Sequence, residues 1–271
     1  MKIIDGKKIA SEMTGELKKK PKPEKFMAAI LVGNDSASEN FISQKEKTAK
    51  ELGIDFRIYR FDKELHNDEL RDEVRKIAEH GTCGGVIVQL PLPQQINKHY
   101  VLNVVPRERD VDVISERSIG AFYTGRNPII PPAAGTAEKI LAAAEANPES
   151  AIIAVVGLGF LVGKPVSMWL MDKAKGLILL DKFSDLSFLK NADVVICGTG
   201  QAGLIKPGML KDGAGVIDFG YSVKDGKISG DLDVSSDLSK LSFYTPTPGG
   251  TGPVLVAKLF ENFYSLNTEQ K

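Results

Sequence analysis

The chain has 271 residues, enough for two compact domains. Apolar residues make up 42%, charged residues 26%, and 35 Lys plus Arg face 35 Asp plus Glu, a balance that argues against a nucleic-acid or anionic-membrane partner. With no apolar run of about 18 residues and no signal-peptide core in MKIIDGKKIA, the expectation is a soluble, cytoplasmic protein.

The first predicted strand is 27–32, followed by a helix over 38–52, SENFISQKEKTAKEL. At 100° per residue, Phe41, Ile42, Thr48, Ala49 and Leu52 gather in one stripe, and Lys45 falls in its middle. A lysine there is either a snorkelling rim residue or a partly buried amine. Burial would lower its pKa towards neutrality, where it can exchange protons. Strands at 56–61 and 86–90 flank a helix over 66–80. Gln89 closes VIVQL ahead of PLP, so its amide projects from the carboxyl end of a strand, where ligands bind in open α/β sheets. Residues 106–133 carry charges, prolines and little periodicity, and are read as the main linker. Asp110-Val111-Asp112 lies within it, as a solvated loop or as a ligand contact.

The second half alternates strands at 151–156, 177–180, 193–197 and 215–219 with helices over 134–146, 162–173 and, shorter, 184–191. These strands are short, Val- and Ile-rich and nearly wholly apolar, as in a parallel sheet covered on both faces. The alternation implies a doubly wound α/β architecture. AIIAVV runs straight into Gly157-Leu158-Gly159-Phe160-Leu161-Val162-Gly163 and a helix. That context favours a dinucleotide turn, although the third glycine comes one residue late. The following strand ends at Asp181-Lys182, where an acid suits the ribose hydroxyls of NAD and a base the 2′-phosphate of NADP. TPTPGGTGP, 245–253, is read as a shaped loop that stops regular structure, with Pro253 opening a last helix. Cys83 and Cys197, each beside apolar sequence, are read as packed thiols rather than metal ligands or a disulfide.

Taken in order, IIDGKKIA, LVGNDSASENFISQKEK, GGVIVQLPLP, RDVD, GLGFLVGKP, ADVVICGTGQ, GVIDFG, KISGD and TPTPGGTGP resemble the bifunctional methylenetetrahydrofolate dehydrogenase/methenyltetrahydrofolate cyclohydrolase family over essentially the whole chain. The resemblance implies an N-terminal α/β folate domain, residues 1–118, and a Rossmann-type dinucleotide-binding domain, residues 119–252, with a final helix, 253–271, returning to the first. It implies that Lys45 is the catalytic lysine, Gln89 its partner and Asp112 the acid that binds the pterin. Ser38 and Phe41, with Pro248, Gly249 and Gly250, fall on the folate side. Gly157, Leu158, Gly159, Lys182 and Tyr221 fall on the cofactor side, and no metal is implied. NADP is the expected cofactor, NAD the alternative. A cytoplasmic homodimer acting on tetrahydrofolate derivatives in one-carbon metabolism and purine biosynthesis is the corresponding expectation.

Three departures stand out. Phe41 occupies the position of a family tyrosine, Gly159 that of a common serine, and IPPAAGT near 131–136 replaces P-C-T-P-x-G. Two other readings fit less well: an amino-acid or shikimate dehydrogenase, and a folate- or nucleotide-binding regulator that has lost catalysis.

Overall fold

The computed structural model describes residues 1–224 and 227–268. In chain order the elements are β1 (Lys2–Ile3), α1 (Gly6–Lys18), β2 (Phe26–Val32), α2 (Ser36–Leu52), β3 (Phe56–Phe61), α3 (Asn67–Glu79), β4 (Cys83–Val88), α4 (Lys98–Leu102), α5 (Glu116–Tyr123), α6 (Pro132–Ala143), β5 (Ile152–Val156), α7 (Gly163–Leu170), β6 (Gly176–Leu180), β7 (Val194–Cys197), β8 (Gly215–Asp218), β9 (Ser222–Lys224), β10 (Lys227–Ser229), β11 (Phe243–Tyr244) and α8 (Thr251–Asn267). They form two compact units, residues 12–132 with 256–271 and residues 1–11 with 133–255.

In the first unit a parallel sheet of order β3-β2-β4 carries the core. Every residue of β2 and β4 is buried, so both read as unbroken apolar runs. In edge strand β3, FRIYRF, the two arginines are exposed and the other four residues half-buried, as an edge open to water on one side allows. The carboxyl half of α8 seals this core. Val256, Leu259, Phe260, Phe263 and Tyr264 pack with Met27, Ala29, Leu31 and Ile87. Each such phenylalanine contributes about 1.5–3 kcal/mol by burial. The final helix therefore ends in the N-terminal core, as expected.

The second unit holds a six-stranded parallel sheet of order β1-β11-β8-β7-β5-β6 and a separate antiparallel ribbon, β9 with β10. From β5 the chain passes first to β6 on one side and then to β7 on the other. The strand order thus reverses between β5 and β7, and open α/β sheets bind ligands outside the carboxyl ends of the strands at such a reversal.

The expected boundaries differ from these units in three places. Lys2 and Ile3 pair with Phe243 and Tyr244, so the first residues belong to the six-stranded sheet. The stretch 106–133 is structured: a 3-10 turn at Arg107–Arg109 and helix α5 belong to the first unit. Its single short helix, interrupted by Gly120, is too brief to show a period. The loop 245–253 is also shorter than expected, because α8 begins at Thr251 and Pro253 sits within its first turn, where no backbone N–H is required. The segment at 186–191 is a 3-10 helix. Helices α1, α4 and α5 and the short strands β1, β9, β10 and β11 were not anticipated. Among the described residues no helix is long and apolar enough to cross a membrane.

Candidate active site

Helix α2 is built to hold one polar atom in an apolar place. Asp35 caps its start, accepting from the Ser38 N–H at 2.8 Å, and Gly53 ends it in the left-handed conformation, φ 68°. Its buried residues are Ser38, Ile42, Lys45, Ala49 and Leu52, spaced by three and four, which places them on one face. Half-buried Phe41 borders the same face one turn before Lys45.

Lys45 is only 7% exposed, and its Nζ donates a 2.9 Å hydrogen bond to Oε1 of Gln89, itself 8% exposed. Gln89 follows β4 directly. Its backbone N–H bonds to the Ile30 carbonyl at 2.9 Å, and Nε2 donates to the Leu90 carbonyl at 2.8 Å. The amide is thereby turned so that its oxygen faces the lysine. Burial pulls the Lys45 pKa below the usual lysine range, and the Asp112 charge opposes this. An amide oxygen accepts from amine and ammonium alike, so Gln89 orients Nζ while desolvation favours the neutral form.

Asp112 is carried by a tight turn. The carboxylate of Asp110, 1% exposed, accepts from the N–H groups of Ile114 at 3.1 Å and Ser115 at 2.8 Å. Val113 takes a positive φ of 57°, a conformation costly for a β-branched residue and held by its surroundings. Part of Asp112 remains open, yet its carboxyl is desolvated. Its pKa is pushed up to about 6, chiefly by that desolvation, against the lowering effect of Lys45 and with a further upward push from Asp110. The sequence expectation therefore names three residues, Lys45, Gln89 and Asp112, that the fold brings together from α2, the end of β4 and the turn before α5.

In the second unit, Gly157 leaves β5 at the strand-order reversal with φ 86°. A β-carbon there would come within 2.9 Å of the Thr199 methyl and 3.0 Å of the Gly198 carbonyl, so β5 and β7 approach closely. A β-carbon at Gly163 would collide with the Gly157 carbonyl oxygen. Gly163 thus supplies the close helix–strand packing that a dinucleotide fingerprint assigns to its third glycine. Gly159 is exposed, and a β-carbon there meets nothing within 4 Å. The absence of a serine hydroxyl here follows from no steric demand. The turn, including half-buried Leu158, leads into α7 and fits a dinucleotide pyrophosphate approached by backbone N–H groups.

Asp181 and Lys182 are both exposed after β6. Lys182 Nζ lies 4.7 Å from the ring centroid of Phe183, a residue 91% exposed. Tyr221 is half-buried beside the ribbon. Pro248 follows a cis peptide, Gly249 has φ 102°, and the Gly250 N–H closes a turn on the Pro246 carbonyl at 2.7 Å. A β-carbon at Gly6 would collide with the Gly250 carbonyl oxygen, which fixes the glycine of IIDGKKIA. Cys83 and Cys197 are free and buried, as expected. Sequence reasoning overlooked Asp218 and Asp231, buried acids of GVIDFG and KISGD. Their signal was an acid closing an apolar strand or following a glycine.

Residues 4–112 match the family model for the tetrahydrofolate dehydrogenase/cyclohydrolase catalytic domain, and residues 131–271 that for its NAD(P)-binding domain. The bifunctional protein FolD of Hydrogenobaculum sp. (strain Y04AAS1) is 33% identical over 273 residues, with 97% of each chain covered. The crystal structure of the bifunctional FolD enzyme of Campylobacter jejuni superposes with a TM-score of 0.93 at 30% identity, covering 98% of both chains. The Trypanosoma brucei FolD, solved with NADP cofactor and an inhibitor, superposes at 0.91 with 25% identity over 97% of this chain and 96% of that one. Matches over both halves, to a catalytic and to a cofactor domain, set aside the other dehydrogenases and the non-catalytic regulator: this chain belongs to the tetrahydrofolate dehydrogenase/cyclohydrolase family.

Proposed function

We propose that this enzyme oxidises 5,10-methylenetetrahydrofolate to 5,10-methenyltetrahydrofolate with NADP, and hydrolyses that product to 10-formyltetrahydrofolate. The observation that carries the reading is the buried amine of Lys45, held by Gln89 and electrostatically coupled to Asp112. The Gly157 turn would hold the pyrophosphate of the dinucleotide, whose nicotinamide would supply the hydride acceptor. The chain's own groups serve the hydrolysis. When water adds to the methenyl carbon, the neutral amine of Lys45 takes the water proton. The resulting ammonium returns it to N5 as the bond between that carbon and N5 breaks, and the remaining hydroxyl proton is released to solvent, leaving the formyl group on N10. Gln89 keeps Nζ aimed throughout. Asp112 binds the pterin, and Ser38 and Phe41 line the Lys45 face of the same helix.

On the cofactor side Gly157, Leu158 and Gly159 take the phosphates and Tyr221 the nicotinamide end. Lys182 takes the 2′-phosphate as a point charge. The protein works as a cytoplasmic homodimer without nucleic acid, as the family pattern implies. The test is a spectrophotometric assay of the purified enzyme with 5,10-methylenetetrahydrofolate and, separately, NADP and NAD. Faster NADPH than NADH formation, with transient methenyl absorbance that decays enzymatically, is the expected result. No cofactor reduction would overturn the reading.

A further inference from the structure

Behind the dinucleotide turn, in the second unit, lies a buried pair of acids that the reaction itself does not use. Asp231 is 0% exposed and Asp218 2%. Asp218 accepts from the N–H groups of Gly220 at 2.7 Å, Leu232 at 2.9 Å and Asp231 at 3.1 Å. Its own N–H donates to Thr245 Oγ1 at 2.7 Å, and its carbonyl accepts from Thr251 Oγ1 at 2.9 Å. Asp231 in turn accepts from the N–H of Thr199 at 2.5 Å and that of Gln201 at 2.9 Å. These two donors belong to the loop that leaves β7 at the strand-order reversal, and Thr199 is the residue whose methyl stands against Gly157.

Cys197, Asp218 and Asp231 also have the spacing of metal ligands. Their carboxylates, however, are already turned onto backbone N–H groups, and burial, with the two acids, drives the Cys197 thiol well above its usual range. A neutral thiol beside carboxylates occupied by N–H donors makes a hydrogen-bonded network rather than a metal site. The backbone also crowds it, because a β-carbon at Gly230 would collide with Asp218 Oδ2.

We infer that Asp231 is a positioning residue for the dinucleotide: its carboxylate fixes the Thr199–Gln201 loop as the second wall of the crevice, opposite Gly157. A carboxylate accepting two backbone N–H bonds away from water is a strong, directional anchor. Losing the acceptor of the Thr199 N–H leaves a half-buried donor unpaired, whereas the Gln201 N–H keeps Thr199 Oγ1 at 3.2 Å. Asp218 anchors Asp231 through its N–H and ties the same network to Thr245 and Thr251, the two ends of the TPTPGG loop. The inference rests on the proposed dinucleotide chemistry, and it predicts a defect confined to that half of the reaction.

The experiment is Asp231→Asn, which keeps the side-chain volume but sets an NH2 donor against one of the two N–H groups. Calorimetric NADP binding, dehydrogenase kinetics and hydrolysis of supplied 5,10-methenyltetrahydrofolate are measured on the same preparation. NADP binding should weaken by about tenfold or more. The apparent KM for NADP should rise more than kcat falls, faster hydrogen exchange should appear at the Thr199 and Gln201 amides, and methenyl hydrolysis should stay within about twofold. Gln201→Pro, which deletes one donor and leaves the buried acids intact, should give a smaller loss of the same kind. Unchanged NADP affinity in Asp231→Asn, or equal loss of both activities in both variants, would overturn the inference. Wild-type enzyme that binds no NADP would instead refute the proposed function.

Discussion

Nζ of Lys45 lies 2.9 Å from Oε1 of Gln89, a bond between the buried face of α2 and the residue that ends β4. It fixes where the amine points but adds no charge beside it. Gln89→Glu would preserve the acceptor and add that charge. A carboxylate in contact with an amine raises the pKa of the amine by about 1 to 3, so the ammonium would persist to higher pH. The rising limb of the pH profile for methenyl hydrolysis should move upward by about one pH unit or more. An unmoved profile would remove Lys45 ionisation from the rate law.

Phe41 stands where the family has a tyrosine, half-buried on the border of the Lys45 face. Phe41→Tyr should fold like the parent and hydrolyse the methenyl substrate at least as fast. A loss of more than about tenfold, equivalent to about 1.4 kcal/mol of transition-state stabilisation, would mean that the pocket is shaped around the missing hydroxyl.

Cofactor choice turns on two adjacent exposed residues, Asp181 and Lys182. Lys182→Ala should raise the apparent KM for NADP by about tenfold and leave that for NAD nearly unchanged, because only the 2′-phosphate uses the charge. Equal effects on both cofactors would take Lys182 out of the site. A parent enzyme that prefers NAD would give Asp181 the deciding role.

Burial raises the Asp112 pKa from 3.8 to about 6. Between those values the folded chain binds more protons at this site than the unfolded chain. Its contribution to stability therefore falls as pH rises from about 4 to about 6. Asp112→Asn should remove that slope, so the variant gains on the parent by about 1–3 kcal/mol between pH 4 and pH 7. Denaturant titrations at the two pH values measure the difference. An identical parent–variant gap at both would show that Asp112 titrates alike in the folded and unfolded chain.

The buried strands of both sheets were legible because burial on both faces writes unbroken apolar runs, as in β2 and β5. Lys45 was legible for the opposite reason, a charge centred on an apolar stripe. The elements that escaped notice are short or depend on distant partners. Strand β1 has two residues and exists only through pairing with β11. Helix α5 spans eight residues with a glycine inside. The first residues join a sheet formed by the far end of the chain, a long-range pairing that no local period records. Asp112 stood out only as part of a charged loop, and family pattern alone gave it a role. The desolvated pocket that raises its pKa arises only when the Asp110 turn closes against β4.

In the proposed reaction Lys45 moves the proton in hydrolysis and takes no part in hydride transfer. Lys45→Met keeps the apolar stem and deletes the amine, so packing on α2 is preserved. Both half-reactions are then measured on one preparation: NADP reduction with the methylene substrate, and decay of supplied methenyl substrate. Hydrolysis should fall by about 10²–10⁴-fold, while NADP reduction should stay within about tenfold of the parent. Parent-like hydrolysis in the variant, or equal loss of both half-reactions in a folded protein, would contradict that role for Lys45.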